Sequence, residues 1–190
     1  VTNKQYQACV DAGVCQPPSS SGSSTQPDYY GNPEFDAYPV IFVNWDQANT
    51  YCEAWAGGDL PTEAQWEKAA SWNPLTQEKT IYPWGNDFDG SFGNFCDVKC
   101  AMEQGADKNS NDGYADTAPV GNYSDGVSPY GAYDMAGNVW EWVNDWYGEN
   151  YYYDSPPSDP LGPDSGTKHI IRGGAWVNNM DGAHTTDRFR

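Results

Sequence analysis

The segment 130–143 carries oxygen donors whose types and spacing could wrap a cation. Asp134 and Glu141 supply carboxylates, and the backbone carbonyls of Gly137 and Val139 lie between them in sequence. Hard oxygen donors of this kind suit Ca²⁺. If the end of the segment is extended, Glu141 shares a face with Val139, and a carboxylate among apolar groups needs a partner such as a metal ion. A strand with a solvent-exposed glutamate is an equally consistent interpretation of the spacing alone.

The composition indicates a folded, loop-rich and strongly acidic chain. Its 190 residues include 27 Asp and Glu against 9 Lys and Arg, a formal net charge of −18. This charge argues against a nucleic acid partner, because phosphate binding needs excess positive charge. Aromatic residues make up 15% of the chain, far more than disordered chains contain. The 20 Gly and 14 Pro predict long irregular loops around one core.

The chain shows no sign of membrane insertion or of a secretory leader. No apolar run approaches the roughly 20 residues of a membrane-spanning helix, and no signal peptide pattern is present. The chain begins in mid-motif at Val1 and stops at Arg190 without a terminal element. We therefore expect residues 1–190 to form one domain that lacks its extreme N- and C-terminal parts.

The five cysteines form a pattern that favours disulfides. Cys9 and Cys15 lie close in sequence, as do Cys96 and Cys100, and neither spacing is the C-x-x-C of a zinc site. Metal ligation is the alternative for such close pairs, but no His lies near either one. We predict two local disulfides and hence an oxidising, extracytoplasmic compartment. Cys52 has no partner in this scheme, and we expect one beyond the end of the chain.

Regular structure is predicted only in short pieces. Helices are indicated where a polar capping residue precedes apolar residues at helical spacing. They cover residues 4–12 after Thr2-Asn3, residues 47–56 after Asp46, and residues 64–71 after the capping pair Thr62 and Gln65. Short strands are predicted at residues 38–45 and His169–Arg172. Residues 87–122 have neither helical nor strand periodicity, which is typical of a long loop ordered by ions or disulfides.

Several motifs, occurring in a fixed order, resemble the formylglycine-generating enzyme (sulfatase-modifying factor) family. In chain order they read PVIFVNWDQANTYCEAWAGGDLPTEAQWEKAA, YPWGN, DGYADTAPVGNY, YGAYDMAGNVWEWVNDWY and IIRGGAWV. The joint occurrence of LPTEAQWEKAA, GNVWEW and RGGAW is highly specific, and the resemblance covers almost the whole chain. It implies an α+β domain with the formylglycine-generating-enzyme fold, related to C-type lectins. Such a domain has low regular secondary structure and is stabilised by calcium and disulfides.

The resemblance also implies two structural calcium sites. One falls on the residues already singled out, namely Asp134, Gly137, Val139 and Glu141. The other would use the side chain of Asn94, the carbonyl of Phe95, the side chain of Asp112 and the carbonyl of Tyr114. Each site would tie an irregular loop to the core, and a ligand that binds only the folded state stabilises that state.

The catalytic thiols of the oxidising family members are absent from the corresponding segment. Those enzymes carry two cysteines shortly after RGG-[SA]-[WY] that bind Cu(I) and activate O₂ to convert a substrate cysteine into formylglycine; thiolates suit Cu(I). Here the two positions hold Asn178 and Ala183. Met180 and His184 are four residues apart, but a surface role explains them better than copper binding. The resemblance therefore implies no bound copper and no catalytic residues of the oxidase type.

Three functions remain open. The first is a non-catalytic binding or scaffolding module that contacts a protein or glycan partner through an exposed polar row after Gly173-Gly174. The contact candidates are Trp176, Asn178, Asn179, Asp181, His184 and Asp187, with Thr185 and Thr186 in the same row. The second is a formylglycine-generating oxidase or another oxidoreductase of the family, against which the missing cysteines argue. The third is a structural subunit of an extracellular assembly. An ordinary solvated loop has the same polar pattern.

Overall fold

A computed structural model describes residues 1–101 and 106–190 of the chain. Its helices are α1 (Asn3–Asp11), α2 (Trp45–Thr50, continued by a wider helical turn at Tyr51–Ala56) and α3 (Glu63–Ser71). Its strands are β1 (Trp72–Asn73), β2 (Glu78–Lys79), β3 (Glu141–Trp146) and β4 (His169–Arg172). β1 pairs with β2 and β3 with β4, both antiparallel. Regular secondary structure is thus low, as expected. The long loops must therefore be held largely by side-chain contacts.

The capping residues predicted for the first and third helices are confirmed. Thr62 Oγ1 accepts from the backbone N–H of Gln65 at 3.2 Å, and Gln65 Oε1 accepts from the N–H of Thr62 at 2.9 Å. Thr2 and Gln5 exchange the same two bonds at the start of α1. Because each box closes within four residues, the local sequence alone determines where these helices begin.

The strand predicted over residues 38–45 is wrong. Phe42 has a φ of 59°, a left-handed conformation that interrupts an extended run, and its side chain is 50% exposed. The cap predicted for the second helix is also wrong. Asn44, rather than Asp46, accepts from the N–H of Gln47 at 2.9 Å, so α2 begins two residues earlier than predicted.

The pair of strands β3 and β4 forms the base on which the main core is built. Glu141 lies opposite Arg172 in the register. Val143 and Ile170 pack against Trp66 of α3, and all three are almost inaccessible to solvent. The strand predicted at His169–Arg172 is thus confirmed. Glu141 and Arg172, which begin and end these strands, consequently lie next to the core.

Both predicted disulfides are present. Cys9 is bonded to Cys15 within a buried cluster around Tyr6, and Cys96 is bonded to Cys100 in the long loop. Cys52 is a half-buried free thiol. Between residues 87 and 122, the described part contains no helix or strand, in agreement with the missing periodicity.

Among the helices of the described residues, none is long and apolar enough to cross a bilayer.

Candidate functional site

The loop before β3 is wound by residues in left-handed conformations. Asp134, Gly137 and Asn138 have φ values of 57°, 80° and 62°. At Gly137 a side chain is excluded, because a Cβ there would lie 2.5 Å from the backbone oxygen of Asn94. The turn therefore lies directly against the loop at Asn94, so the segments carrying the two predicted calcium sites are in contact.

Glu141 and Asp134 are carboxylates in a poorly solvated position. Glu141 Oε2 accepts from the indole Nε1 of Trp66 at 2.6 Å, and Asp134 Oδ2 accepts from the N–H of Gly121 at 2.7 Å. Burial raises the pKa of Glu141, and the charge of Asp134 raises it further. Burial likewise raises the pKa of Asp134. Each carboxylate thus has a hydrogen-bond donor but remains costly to ionise.

Neither of these carboxylates has a cationic partner within the described ranges 1–101 and 106–190. All ion pairs found there involve other acidic residues. A buried negative charge needs a counter-charge or a proton. Asp134, Glu141 and the neighbouring backbone carbonyls are a donor set that fits Ca²⁺.

The second predicted set lies around Asp112. Its carboxylate accepts from the N–H of Phe95 and from the N–H of Tyr114, both at 2.8 Å. The side-chain amide of Asn94 donates to the carbonyl of Asp116 at 2.8 Å. Its Oδ1 is buried without a hydrogen-bond partner. Phe95 and Tyr114 thus both contact Asp112, and an orphaned amide oxygen on the residue before Phe95 fits a hard cation.

The pKa of Asp112 is raised to about 6. Burial is the largest cause, and the charge of neighbouring Asp97 contributes. No three His, Cys, Asp or Glu side chains of the described residues converge as a metal site. Both sites instead mix carboxylates with amide and backbone oxygens, which is typical of calcium rather than of transition metals.

Two important residues were missed by sequence reasoning. Asn138 is 1% exposed and joins several loops: its N–H donates to the carbonyl of Asn94 at 2.9 Å, and its carbonyl accepts from Trp176 N–H at 2.9 Å. Its side chain exchanges two hydrogen bonds with the backbone of Ala118, at 3.0 and 3.2 Å. Asp97, also 1% exposed, lies between the bridged cysteines. The Gly-Asn dipeptide was a usable signal for Asn138, since Asn tolerates left-handed backbone; Asp97 had no such local signal.

The row of residues after Gly173-Gly174 is not the exposed row that was predicted. Thr185 is fully buried, and of the described side chains in the predicted row only Thr186 is exposed. Asn178 Oδ1 accepts from the N–H of Ala175 at 2.9 Å, so this side chain closes its own turn. His184 packs edge-on against Tyr82, with ring centroids 5.3 Å apart.

The remaining contact candidates are partly enclosed. Asn179 and Asp187 are half-buried, and the backbone oxygen of Asp187 accepts from Arg172. The side chains of Met180 and Asp181 lie outside the described part of the structure. The row was predicted to be exposed because it is polar. The sequence does not reveal that the buried Arg172 donates hydrogen bonds to backbone carbonyls of this segment and so holds it against the core.

Trp176 is different, because it lines a groove of about 360 Å³. The other large side chains in this groove are Phe42, Trp140, Trp142, Ile171 and Val177. Phe42 itself has a strained left-handed backbone, and its side chain is half exposed. Strained residues are often retained where a surface has a binding role.

The two positions matched to the thiols of the oxidising members, Asn178 and Ala183, lie in a turn and in a buried cluster. The Asn178 amide is committed to its own turn. Ala183 is 1% exposed and packs in a cluster with Tyr82, Phe95 and Ala136. Neither side chain is a soft metal ligand.

Acidic residues on α3 are neutralised within the protein. Arg188 binds both carboxylate oxygens of Glu63, at 2.7 and 2.9 Å. Arg172, fully buried, bonds to Glu67, lies 3.7 Å from Glu63 and stacks over Trp66 at 5.1 Å. Unlike the calcium candidates, these carboxylates are paired with arginines of the chain itself.

Sequence comparison relates the chain to one family and to several known proteins. The FGE-sulfatase family, described as the sulfatase-modifying factor enzyme 1-like domain, matches residues 1–189. A formylglycine-generating enzyme of Streptomyces coelicolor is 38% identical over 153 residues, 79% of this chain and 45% of that protein. A mouse protein named inactive C-alpha-formylglycine-generating enzyme 2 is 35% identical over 145 residues, 76% of this chain and 40% of that protein. The chain thus spans less than half the length of these relatives.

A solved structure shows the same fold. Treponema denticola variable protein 1 superposes with a TM-score of 0.71 and 25% identity, covering 100% of this chain and 75% of that one. Together with the family match over almost every residue, this confirms both the fold and the resemblance seen in the motifs. The chain belongs to the FGE-sulfatase family of sulfatase-modifying factor-like domains.

Proposed function

We propose that this chain is a non-catalytic, extracytoplasmic domain in which calcium holds the irregular loops and an aromatic groove binds a protein or glycan partner. The observation that carries the proposal is the set of poorly solvated acidic groups that form no ion pair in the described part of the chain. Asp112, Asp134 and Glu141 form no ion pair within the described residues. Asn94 adds a buried oxygen without a partner. Calcium would satisfy both sets at once.

The absence of oxidase chemistry is inferred from the segment after Gly173-Gly174. Asn178 and Ala183 occupy the positions of the copper-binding thiols, and both are engaged in packing or in a turn. A relative whose printed name calls it inactive shares 35% of its residues with this chain over the matched region. This makes a binding module a better fit than a formylglycine-generating oxidase.

The location rests on the cysteines. Two local disulfides close in this fold, at Cys9–Cys15 and Cys96–Cys100. Stable structural disulfides belong to oxidising compartments outside the cytoplasm. Such compartments also hold calcium at concentrations that weak structural sites can use.

The partner surface is assigned to the groove beside Trp176. Tryptophan faces bury large areas at little conformational cost and are enriched in binding hot spots. The groove combines Trp140, Trp142 and Trp176 with the exposed Phe42. An aromatic lining of this kind suits the apolar faces of a glycan or the side chains of a protein partner.

Removal of calcium tests the proposal directly. The protein would be passed over a chelating resin, and its thermal unfolding followed by calorimetry with and without added Ca²⁺. One site saturated a hundredfold above its Kd contributes about 2.7 kcal/mol, which raises the Tm of a chain this size by roughly 5–10 °C. Addition of Mg²⁺ is the control. An unchanged Tm with Ca²⁺ would show that both assigned sites are wrong.

Catalysis and partner binding have separate tests. Copper-loaded, reduced protein would be incubated with a cysteine-containing sulfatase-type peptide, and formylglycine followed by mass spectrometry; turnover would overturn the non-catalytic assignment. For the groove, a glycan array would be probed with the native chain, Trp176→Ala and the control Trp55→Ala, since Trp55 is exposed outside the groove. Equal glycan binding by all three proteins would remove the groove from the proposal. A chain isolated only in large complexes would favour a structural subunit.

A further inference from the structure

Asp97 places a second carboxylate against Asp112. Asp97 Oδ2 accepts from the backbone N–H of Asp112, and Asp97 Oδ1 accepts from the N–H of Lys99 at 2.7 Å. Asp97 is 1% exposed, and within the described residues neither aspartate forms an ion pair. Two adjacent acidic groups without a counter-charge are unfavourable in a buried position. The family's predicted calcium set does not include Asp97.

An independent observation points to a ligand at the same place. Phe95 N–H donates to Asp112, so the Asn94–Phe95 turn lies directly on the carboxylate that Asp97 adjoins. In that turn Asn94 Oδ1 is buried and unpartnered. The nearby Lys99 does not neutralise the pair, because its ammonium donates to the carbonyl of Gly113 at 3.1 Å. An unsatisfied oxygen in a turn that is bonded to one of two adjacent carboxylates calls for a cation rather than for a further acceptor.

The disulfide holds Asp97 in this position. The Cα atoms of Cys96 and Cys100 are 4.9 Å apart, and the short loop between them contains Asp97. The loop is docked on the segment around Asp112 by two backbone bonds, from Val98 N–H to Ser110 O at 3.4 Å and from Ala101 N–H to Ala115 O at 3.2 Å. Opening the bridge would give the loop many conformations, and most would carry Asp97 away from Asp112.

We propose that Asp97 is an additional acidic group of the calcium site at Asn94 and Asp112, and that the Cys96–Cys100 disulfide makes calcium affinity at this site depend on the bridge. The inference rests on the calcium binding put forward under the proposed function. Ca²⁺ affinity rises with the number of charged groups and with the rigidity of the site. By reciprocity, calcium must stabilise the closed bridge to the same extent that the bridge strengthens calcium binding.

Calorimetric titration of the full chain with CaCl₂ tests the role of Asp97. Asp112→Asn identifies the binding phase that belongs to this site. Asp97→Asn should weaken that same phase by about tenfold or more. Asp89→Asn is the matched control, because Asp89 is an exposed aspartate of the same loop whose partner is Ser91. It should leave both phases within about twofold.

The bridge has its own pair of variants. Cys96→Ser/Cys100→Ser should lose the phase that Asp112→Asn loses, whereas Cys9→Ser/Cys15→Ser, which opens the other local disulfide, should retain it. Retention of the phase in the first variant would overturn the dependence on the bridge. If that variant does not fold, a dithiothreitol redox buffer replaces it. Dithiothreitol donates two electrons and two protons to the bridge, giving two thiols, and itself becomes a cyclic disulfide.

In that buffer, the oxidised fraction of Cys96–Cys100 is measured by alkylation and peptide mass spectrometry. Calcium should raise this fraction and leave that of Cys9–Cys15 unchanged; no effect of calcium overturns the coupling. The outcomes also separate the two proposals. A native chain that binds no calcium overturns both. A native chain that binds calcium with a phase sensitive to Asp112→Asn but not to Asp97→Asn overturns only the inference about Asp97.

Discussion

Two regions of this molecule face the same problem of buried negative charge and resolve it differently. On α3, Glu63 and Glu67 are neutralised by Arg172 and Arg188. In the loops before β3 and at its first residue, Asp97, Asp112, Asp134 and Glu141 accept hydrogen bonds but form no ion pair with the described residues. The first region is complete as the chain folds. Under the calcium proposal the second is completed by a bound cation, so its stability should depend on the surrounding solution.

The largest effect is expected where the internal pairing is broken. Arg172→Ala removes a fully buried guanidinium, leaves Glu67 with Lys79 as its only cation among the described residues, and takes the donor from the carbonyl of Thr185. Loss of one partner from a buried ion pair costs about 3–5 kcal/mol. Urea unfolding at fixed calcium should show this loss. Lys4→Ala, which removes an exposed pair with Asp36, is the control and should cost less than about 1 kcal/mol. Equal effects of the two variants would contradict the comparison.

Asn138 tests how the loop region is held without regular structure. Asn138→Ala removes the bonds to Ala118 and places in the left-handed region a residue that tolerates it less well than Asn. We therefore expect a loss of about 2–4 kcal/mol in urea unfolding. Asn138→Gly relieves the backbone cost but not the lost bonds. It should therefore recover about 1 kcal/mol of that loss. If Gly restores full stability, the side chain of Asn138 is not what joins the loops.

Glu141→Gln separates the charge of Glu141 from its hydrogen bond. A glutamine oxygen can still accept from Trp66, but it cannot balance a cation. Calcium-free protein should therefore keep its Tm. The increase in the free energy of unfolding on adding calcium should fall by the contribution of one site, about 2.7 kcal/mol at a hundredfold excess over Kd. Glu141→Ala also removes the acceptor and should be more damaging. A full calcium response in Glu141→Gln would place the second site elsewhere.

The smallest expected effect is a pH dependence whose sign reverses with calcium. The pKa of Asp112 is raised to about 6 in the folded protein, against about 3.9 in an unfolded chain. In metal-free protein the contribution of Asp112 to the free energy of unfolding should therefore be greatest below pH 4. It should be lost as the pH rises to 6. Because this carboxyl is partly exposed, solvent screening reduces the effect, and the change should be only on the order of 3 °C in Tm. Calcium holds the carboxylate ionised, so the stabilisation by calcium should grow over the same window.

Melting curves of resin-treated protein at several pH values, with and without calcium, would check this reversal. Asp112→Asn serves as the control, because the contribution of that group to both slopes should disappear. Parallel slopes in the presence and absence of calcium would contradict a cation at Asp112.

The same contrast explains which features the sequence predicts. The capping box of Thr62 and Gln65 closes within four residues, and the disulfide of Cys96 and Cys100 within five, so local spacing identifies both. The strand expected over residues 38–45 fails because a backbone turn at Phe42 overrides its apolar, β-branched composition. Local propensity is a sound guide only where no distant contact competes with it.

The candidate calcium residues were found largely through motifs, and hydrogen bonds join Phe95 and Tyr114 to Asp112. Asp97 was not found, since its contact with Asp112 crosses a long irregular loop. Thr185 was expected at the surface because it is polar, yet its carbonyl accepts from the buried Arg172. Both cases depend on tertiary partners that no local pattern encodes.

The hydrogen bond from Trp66 to Glu141 also has an optical consequence. The indole N–H lies 2.6 Å from the carboxylate, on the pyrrole side of the chromophore. Excitation moves electron density from the pyrrole ring towards the benzene ring, so a negative charge at the N–H shifts emission to the red. A bound cation that offsets this charge shifts it back to the blue. Among nine tryptophans, Trp66 would thus report occupancy of its neighbouring site as a difference spectrum, without any added label.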